Sequence, residues 1–242
     1  MNTAVILAAG IGGRLEKTIG NIPKGFIEID SQAIVMRSII NLKSVGVSKI
    51  IIGTGYHSEY YEAFEGKNSV YCIKNNSYAN TGSFYTLYKL RKHLHDDFLL
   101  LESDILYEKR ALSVLLNHTQ TDVILASGET KSGDEVFIEV NVDKYLVNLS
   151  KNLKELSTVY GELVGITKIS NGTYQVLCEW ADQNPEKAKH AHYEEALREI
   201  SKRKDIYVEK IDDLVWTEID TKEHYLRAVD YIYPMLKEKE NA

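Results

Sequence analysis

The sequence predicts an α/β protein, a mostly parallel sheet with helices on both faces. Residues 4–9, Ala-Val-Ile-Leu-Ala-Ala, form a short apolar run stopped by glycine, as in a parallel strand covered on both sides. Similar runs at 49–53, 69–73 and 98–101 alternate with segments whose apolar residues recur at helical spacing. That alternation over the first half of the chain makes strand–helix–strand units, which pair in parallel.

In order, residues 34–42 read as helix, 49–53 as a second buried strand, 58–64 as a short helix and 69–73 as a third strand. Residues 83–95 return to helical spacing, 98–101 give a fourth strand and 109–117 another helix. The second half is less regular. Residues 122–127 form a strand, 136–140 and 145–147 an antiparallel excursion, and 161–169 a further strand. Residues 186–202, rich in Ala, Glu, Lys and Leu with few breakers, are expected as one helix. Strands at 207–211 and 216–220 precede a closing helix at 223–237. With three prolines and no low-complexity linker, residues 1–242 read as one domain.

A chain of 242 residues buries a substantial core. Its net charge of -6 argues against a nucleic-acid or membrane-surface protein, which would carry a basic face. Cys72 and Cys178 lie far apart without metal-ligand spacing and are expected as small buried residues. The first apolar run is too short for a signal sequence, lacks a basic leader, and no stretch approaches the ~20 apolar residues of a membrane span. A soluble cytoplasmic protein is expected, with a homodimer left open.

The chemistry is written first after the opening strand. Gly10, Gly12 and Gly13 precede Arg14, and Pro23-Lys24 follows. A glycine loop offers backbone N–H groups to oxyanions, and two cations would neutralise a polyphosphate. The spacing is not the dinucleotide fingerprint, which argues against hydride transfer. The histidines 57, 93, 95, 118, 190, 192 and 224 form no metal signature and are expected at the surface. No serine sits in a Gly-x-Ser-x-Gly elbow.

Leu7-Ala8-Ala9-Gly10-Ile11-Gly12-Gly13-Arg14-Leu15 followed by Ile22-Pro23-Lys24 resembles the signature of the sugar-phosphate and alcohol-phosphate nucleotidyltransferases. The resemblance implies a Rossmann-like α/β/α sandwich of the GT-A-like kind with a mixed sheet. It also implies in-line attack of a substrate phosphate on the α-phosphorus of a nucleoside triphosphate, with pyrophosphate leaving. By position Arg14 would hold the pyrophosphate and Lys24 would stabilise the α-phosphoryl charge, while Leu7, Ala8, Ala9, Gly10, Gly12 and Gly13 would wrap the nucleotide. Asp104, just past an apolar strand, and Asp220, before a helix, stand where such enzymes place their magnesium ligands. An aspartate before a helix can also be only a cap. Glu102 and Glu218, two residues earlier on the same faces, are secondary candidates, Glu102 counting with the nucleotide side.

Residues 75–88, Asn-Asn-Ser-Tyr-Ala-Asn-Thr-Gly-Ser-Phe-Tyr-Thr-Leu-Tyr, resemble the loop and helix start of the cytidylyltransferases acting on phosphocholine and on 2-aminoethylphosphonate. This implies CTP as nucleotide, with Asn80, Thr81, Gly82, Ser83 and Tyr56 as contacts. A quaternary ammonium is held by an aromatic cage, whereas a primary ammonium asks for carboxylates and hydroxyls. Where the phosphocholine relatives are expected to carry aromatics, this chain has Glu135-Val136-Phe137 and Gly165-Ile166-Thr167. Glu129, Ser132, Asp134, Glu135, Tyr193 and Glu194 are therefore the expected acceptor contacts, and CMP transfer to 2-aminoethylphosphonate the expected reaction. Transfer to phosphocholine or a sugar phosphate is the alternative within the enzyme class. A regulatory module that binds nucleotide without turnover is the alternative outside it.

Overall fold

The computed structural model describes residues 1–13, 15 and 20–241. It begins with β1 (Thr3–Ala8), a 3-10 turn at Lys24–Phe26, and a small hairpin of β2 (Glu28–Ile29) and β3 (Gln32–Ala33). Then α1 (Ile34–Ser44), β4 (Lys49–Thr54), α2 (Ser58–Glu62), β5 (Val70–Lys74), α3 (Ser83–Lys89) and β6 (Phe98–Glu102) alternate as expected. β7 (Ile105–Tyr107) and α4 (Arg110–Asn117) lead into β8 (Val123–Ser127), β9 (Phe137–Val140), β10 (Leu146–Ser150) and β11 (Gly161–Ile169). After α5 (Asn171–Gln183), α6 (Pro185–His190) and α7 (Tyr193–Ile200) come β12 (Tyr207–Ile211) and β13 (Trp216–Glu218). The chain closes with α8 (Lys222–Arg227), a π-helical turn at Ala228–Ile232, and α9 (Tyr233–Asn241).

The main sheet has nine strands, in the order β10-β9-β11-β6-β1-β4-β5, with β8 joined to β11 and β12 to β8. β6, β1, β4 and β5 run parallel. β11 is antiparallel to β6, β8 and β9, so the sheet is mixed. Every residue of β1 is buried, because successive side chains enter opposite layers. Ala4, Ile6 and Ala8 pack with Val35 and Ile39 of α1 and Leu112 of α4. Val5 and Leu7 pack with Phe84 and Leu87 of α3 and Tyr174 of α5. Each such aliphatic side chain contributes about 1.5–3 kcal/mol. A third cluster sets Leu15, Ile27, Leu106 and Ile219 against Ala228, Ile232 and Leu236 of the closing segment.

Several expectations need correction. The helix expected over 186–202 is broken between α6 and α7, because its backbone serves another segment. The carbonyls of Lys189 and Ala191 accept from the N–H groups of Gly82 (2.9 Å) and Phe84 (3.2 Å). His192 then starts α7 with a capping box, its N–H donating to Glu195 at 2.7 Å. α5 was not expected; Ser170 caps it by accepting from Thr173 N–H at 3.1 Å. The helix expected over 83–95 stops at Lys89 and continues as a 3-10 turn, Leu90–Lys92. Cys178 is buried as expected, but Cys72 is only half-buried, since it stands on β5 at the sheet edge. Among the described residues no helix is long and apolar enough to cross a membrane.

Candidate active site

A cavity of about 340 Å³ opens where β1, β6 and β13 end. Leu7, Ala8, Ala9, Gly10 and Gly12 line it from the end of β1. Gly12 takes a left-handed φ of +66°, and a Cβ there would lie 2.9 Å from Lys24 Cγ. Glycine is therefore required both for backbone angle and for space. Pro23 precedes the 3-10 turn that aims Lys24 inward, where its Nζ donates to Asp104 Oδ2 at 2.8 Å and meets Asp220 Oδ1 in a close ion pair. Burial works against the ammonium, yet Asp104, Glu218 and Glu102 outweigh it and hold the Lys24 pKa above its ordinary value.

The acids meet because β7 and β13 pair antiparallel, placing Ile105 opposite Glu218. Ile219 N–H donates to the Asp104 carbonyl at 3.0 Å, which locks the two turns together. Carboxylate oxygens of Glu102, Asp104 and Glu218 lie within 4.8 Å of one another. Burial, then Glu218 and Asp104, push the Glu102 carboxyl well above the usual range. Burial and Asp104 raise Glu218 to about 7. Gly165, at φ +83°, makes room for this group, since a Cβ there would sit 3.0 Å from Glu102 Oε2. Hard oxygen donors crowded until they resist ionisation fit a divalent cation, which would relieve the repulsion.

On one side of the cavity, buried Asn75 organises the loop before α3. Its Nδ2 donates to Thr81 Oγ1 (3.0 Å) and Thr86 Oγ1 (3.1 Å), and its Oδ1 accepts from Ser77 N–H (3.0 Å). Thr81, Gly82 and Ser83 thereby face the cavity. At Gly82 a Cβ would lie 2.1 Å from the Ala191 carbonyl oxygen, so only glycine permits this backbone contact. The contact also brings α7 to the site, where Tyr193 N–H donates to Ser83 Oγ at 3.0 Å.

The opposite wall comes from distant segments. Thr130, Ser132, Asp134, Glu135 and Val136 line it from the loop between β8 and β9, with Lys151, Glu162, Glu194, Trp216 and His224. Glu162, buried and raised in pKa by that burial, accepts from Thr130 N–H (2.8 Å) and Oγ1 (2.7 Å). Lys151 pairs with Asp134 at 2.5 Å. Burial also lifts Glu194 above its ordinary pKa. Burial opposes the ionised form of Glu135, but the N–H groups around Gly133 outweigh it and lower its pKa, tying the carboxylate into its own turn.

Of the expected nucleotide contacts, Leu7, Ala8, Ala9, Gly10, Gly12, Thr81, Gly82, Ser83 and Glu102 line the cavity, with Lys24, Asp104 and Asp220. Gly13, Asn80 and Tyr56 fall outside its lining; the Tyr56 hydroxyl donates to Asn21 Oδ1 at 2.5 Å. Of the acceptor set, Ser132, Asp134, Glu135 and Glu194 line it, and Glu129 does not. Tyr193 lies beneath the lining, 2% exposed, its phenol pKa raised by burial and by Glu102. Arg14 lies outside the described residues. The carboxylates gathered at Asp104 are Glu102 and Glu218, while Asp220 is joined to Asp104 through Lys24. His224, expected at the surface, is buried and lines the cavity. Neither it nor Lys151 and Glu162 carries a local sequence signal, because each reaches the site only through tertiary pairing.

The sequence profile of the MobA-like NTP transferase domain matches residues 4–166. Choline-phosphate cytidylyltransferase of Streptococcus pneumoniae strain R6 is 25% identical over 231 residues, covering 95% of this chain and 97% of the relative. CMP-5'-(3-aminopropyl)phosphonate synthase of Streptomyces rubellomurinus is 26% identical over 128 residues, 51% of this chain but only 20% of that longer protein. The solved inositol-1-phosphate CTP transferase from T. maritima superposes with a TM-score of 0.82 at 19% identity, covering 98% of this chain and 97% of that one. That likeness shows the fold, the GT-A-like Rossmann type. The family match over residues 4–166 and these relatives define a nucleotidyltransferase. Within that class, the chain belongs to the MobA-like NTP transferase domain family.

Proposed function

We propose that the chain, read as one domain over 1–242, transfers CMP from CTP to 2-aminoethylphosphonate, giving CMP-2-aminoethylphosphonate and pyrophosphate. A phosphonate oxygen attacks the α-phosphorus as the bond to the bridging oxygen of pyrophosphate breaks, so no protein nucleophile is needed. The work of the protein is positioning and charge neutralisation. Lys24 is placed to stabilise the α-phosphoryl charge, and the glycine loop to hold phosphate oxygens through backbone N–H groups. Asp104, with Glu102 and Glu218 or with Asp220, would hold magnesium, which when bound supplies further neutralisation of the triphosphate.

The observation that carries the acceptor assignment is the imbalance of the cavity. Glu102, Asp104, Asp134, Glu135, Glu162, Glu194, Glu218 and Asp220 line it, against Lys24 and Lys151 among the described residues. Such a site favours a substrate with its own cationic group, which both aminophosphonate and phosphocholine have, and Glu194 and Asp134 offer charge-assisted acceptors that only the N–H donors of a primary ammonium can use. Phosphocholine is the second reading, favoured by the full-length similarity to a choline-phosphate cytidylyltransferase and by Trp216 in the cavity lining. Pyrophosphate release with CTP and magnesium, measured across 2-aminoethylphosphonate, phosphocholine, inositol phosphate and glucose 1-phosphate, separates the two. Turnover of the aminophosphonate above all others is expected. Release with none of them, alongside CTP binding by calorimetry, would favour a regulatory module.

A further inference from the structure

We propose that His224 is a positioning residue that clips the acceptor-side wall to the turn carrying Asp220, and so sets where the acceptor lies relative to Lys24. The inference rests on reading residues 130–136 as that wall. It begins with a cap. The Thr221 hydroxyl accepts from His224 N–H at 3.2 Å and starts α8, and His224, the third residue of that helix, turns back over Asp220.

The ring is 6% exposed and both nitrogens are used. Nδ1 accepts from the Asp220 N–H at 3.3 Å, and Nε2 lies 3.1 Å from the Ser132 carbonyl oxygen. A backbone N–H only donates and a carbonyl only accepts, so the partners dictate the tautomer with its proton on Nε2. One rigid imidazole therefore joins a turn whose side chain meets Lys24 to a loop 92 positions away in sequence. That loop has another fastening, Glu162 on Thr130, but Glu162 belongs to β11. Of these two, only the His224 clip ties the wall to the Asp220 turn and the lysine it meets.

Two substitutions split the clip. His224→Asn keeps an acceptor near the Nδ1 position and loses the reach to Ser132, whereas His224→Gln keeps a donor at the Nε2 position and loses the acceptor for Asp220. With whichever acceptor the wild-type enzyme turns over best, His224→Asn is expected to raise the acceptor KM roughly tenfold, with the CTP KM within about twofold. His224→Gln is expected to spare the acceptor KM and lower kcat several-fold. Amide hydrogen exchange tests the clip without any acceptor: His224→Asn should speed exchange across 130–136 and His224→Gln should not. Unchanged exchange there in His224→Asn overturns the clip even if the aminophosphonate reading holds. Equal losses in both variants that follow the fall in Tm would reduce His224 to a structural role, and a raised CTP KM would assign the wall to the nucleotide.

Discussion

The two sides of the cavity are built by different means. The side proposed for the nucleotide is backbone: the end of β1, the left-handed Gly12, and a turn at Gly82 seated on the carbonyls of 189–191. The side proposed for the acceptor is side chains: the 130–136 loop, Lys151, Glu162 and His224, each held by an ion pair or hydrogen bond to another segment, together with Glu194. A triphosphate offers oxyanions that backbone N–H groups recognise whatever the neighbouring side chains. An acceptor has a particular shape and charge, which only particular side chains select.

Lys24, between the two sides, is where the largest effect is expected. Lys24→Ala should lower kcat by about 10²- to 10³-fold with either acceptor and retain the far-UV circular dichroism of the fold; near wild-type turnover would remove the lysine from the mechanism. Gly82→Ala attacks the nucleotide side alone. A Cβ there cannot avoid the Ala191 carbonyl oxygen, so a loss of about 1–3 kcal/mol in urea unfolding and a raised CTP KM should appear together. Glu194→Gln attacks the acceptor side, and roughly tenfold weaker acceptor binding with an unchanged CTP KM is expected from losing one charge-assisted hydrogen bond. Glu129→Gln, outside the cavity lining, is the control and should alter neither KM.

How far the molecule could be read from its sequence follows the same division. β1, the glycine loop and the Pro23-Lys24 turn were legible because a buried strand and a phosphate loop are local patterns. β11 was legible because most of its nine residues read as a buried strand, and β12 because its short Tyr207–Ile211 stretch is strand-like. The break at His192 was not legible, since the lost helix carbonyls go to Gly82 and Phe84, more than a hundred positions away. Glu218 was legible only as a secondary candidate beside Asp220; its meeting with Asp104 comes from the pairing of β7 and β13, and β7, three residues long, left no periodic trace. His224 looked like a surface residue because the loop that covers it arrives from Ser132.

The smallest effect expected is one of pH. Glu218 has its folded pKa raised from 4.5 to about 7, so between those values the folded state binds more protons than the unfolded one. Stability of the metal-free protein should therefore fall as pH rises across that window, with Glu102, also raised, adding a loss of the same sign. Added magnesium should restore Tm most strongly above pH 7, where Glu218 is ionised, and least near pH 5. A magnesium-induced rise in Tm that ignores pH would place the ion away from Glu218.

The central claim is that the acidic wall, with Trp216 in the same lining, selects a primary ammonium over a quaternary one. Its most direct measurement is competition: equimolar 2-aminoethylphosphonate and phosphocholine with limiting CTP and magnesium, the two CMP products resolved by phosphorus NMR. The ratio of initial rates is the ratio of kcat/KM. An excess of the CMP-phosphonate of roughly tenfold or more is predicted, the discrimination expected when buried acceptors are left unpaired by the wrong substrate. A product dominated by CDP-choline would contradict the account.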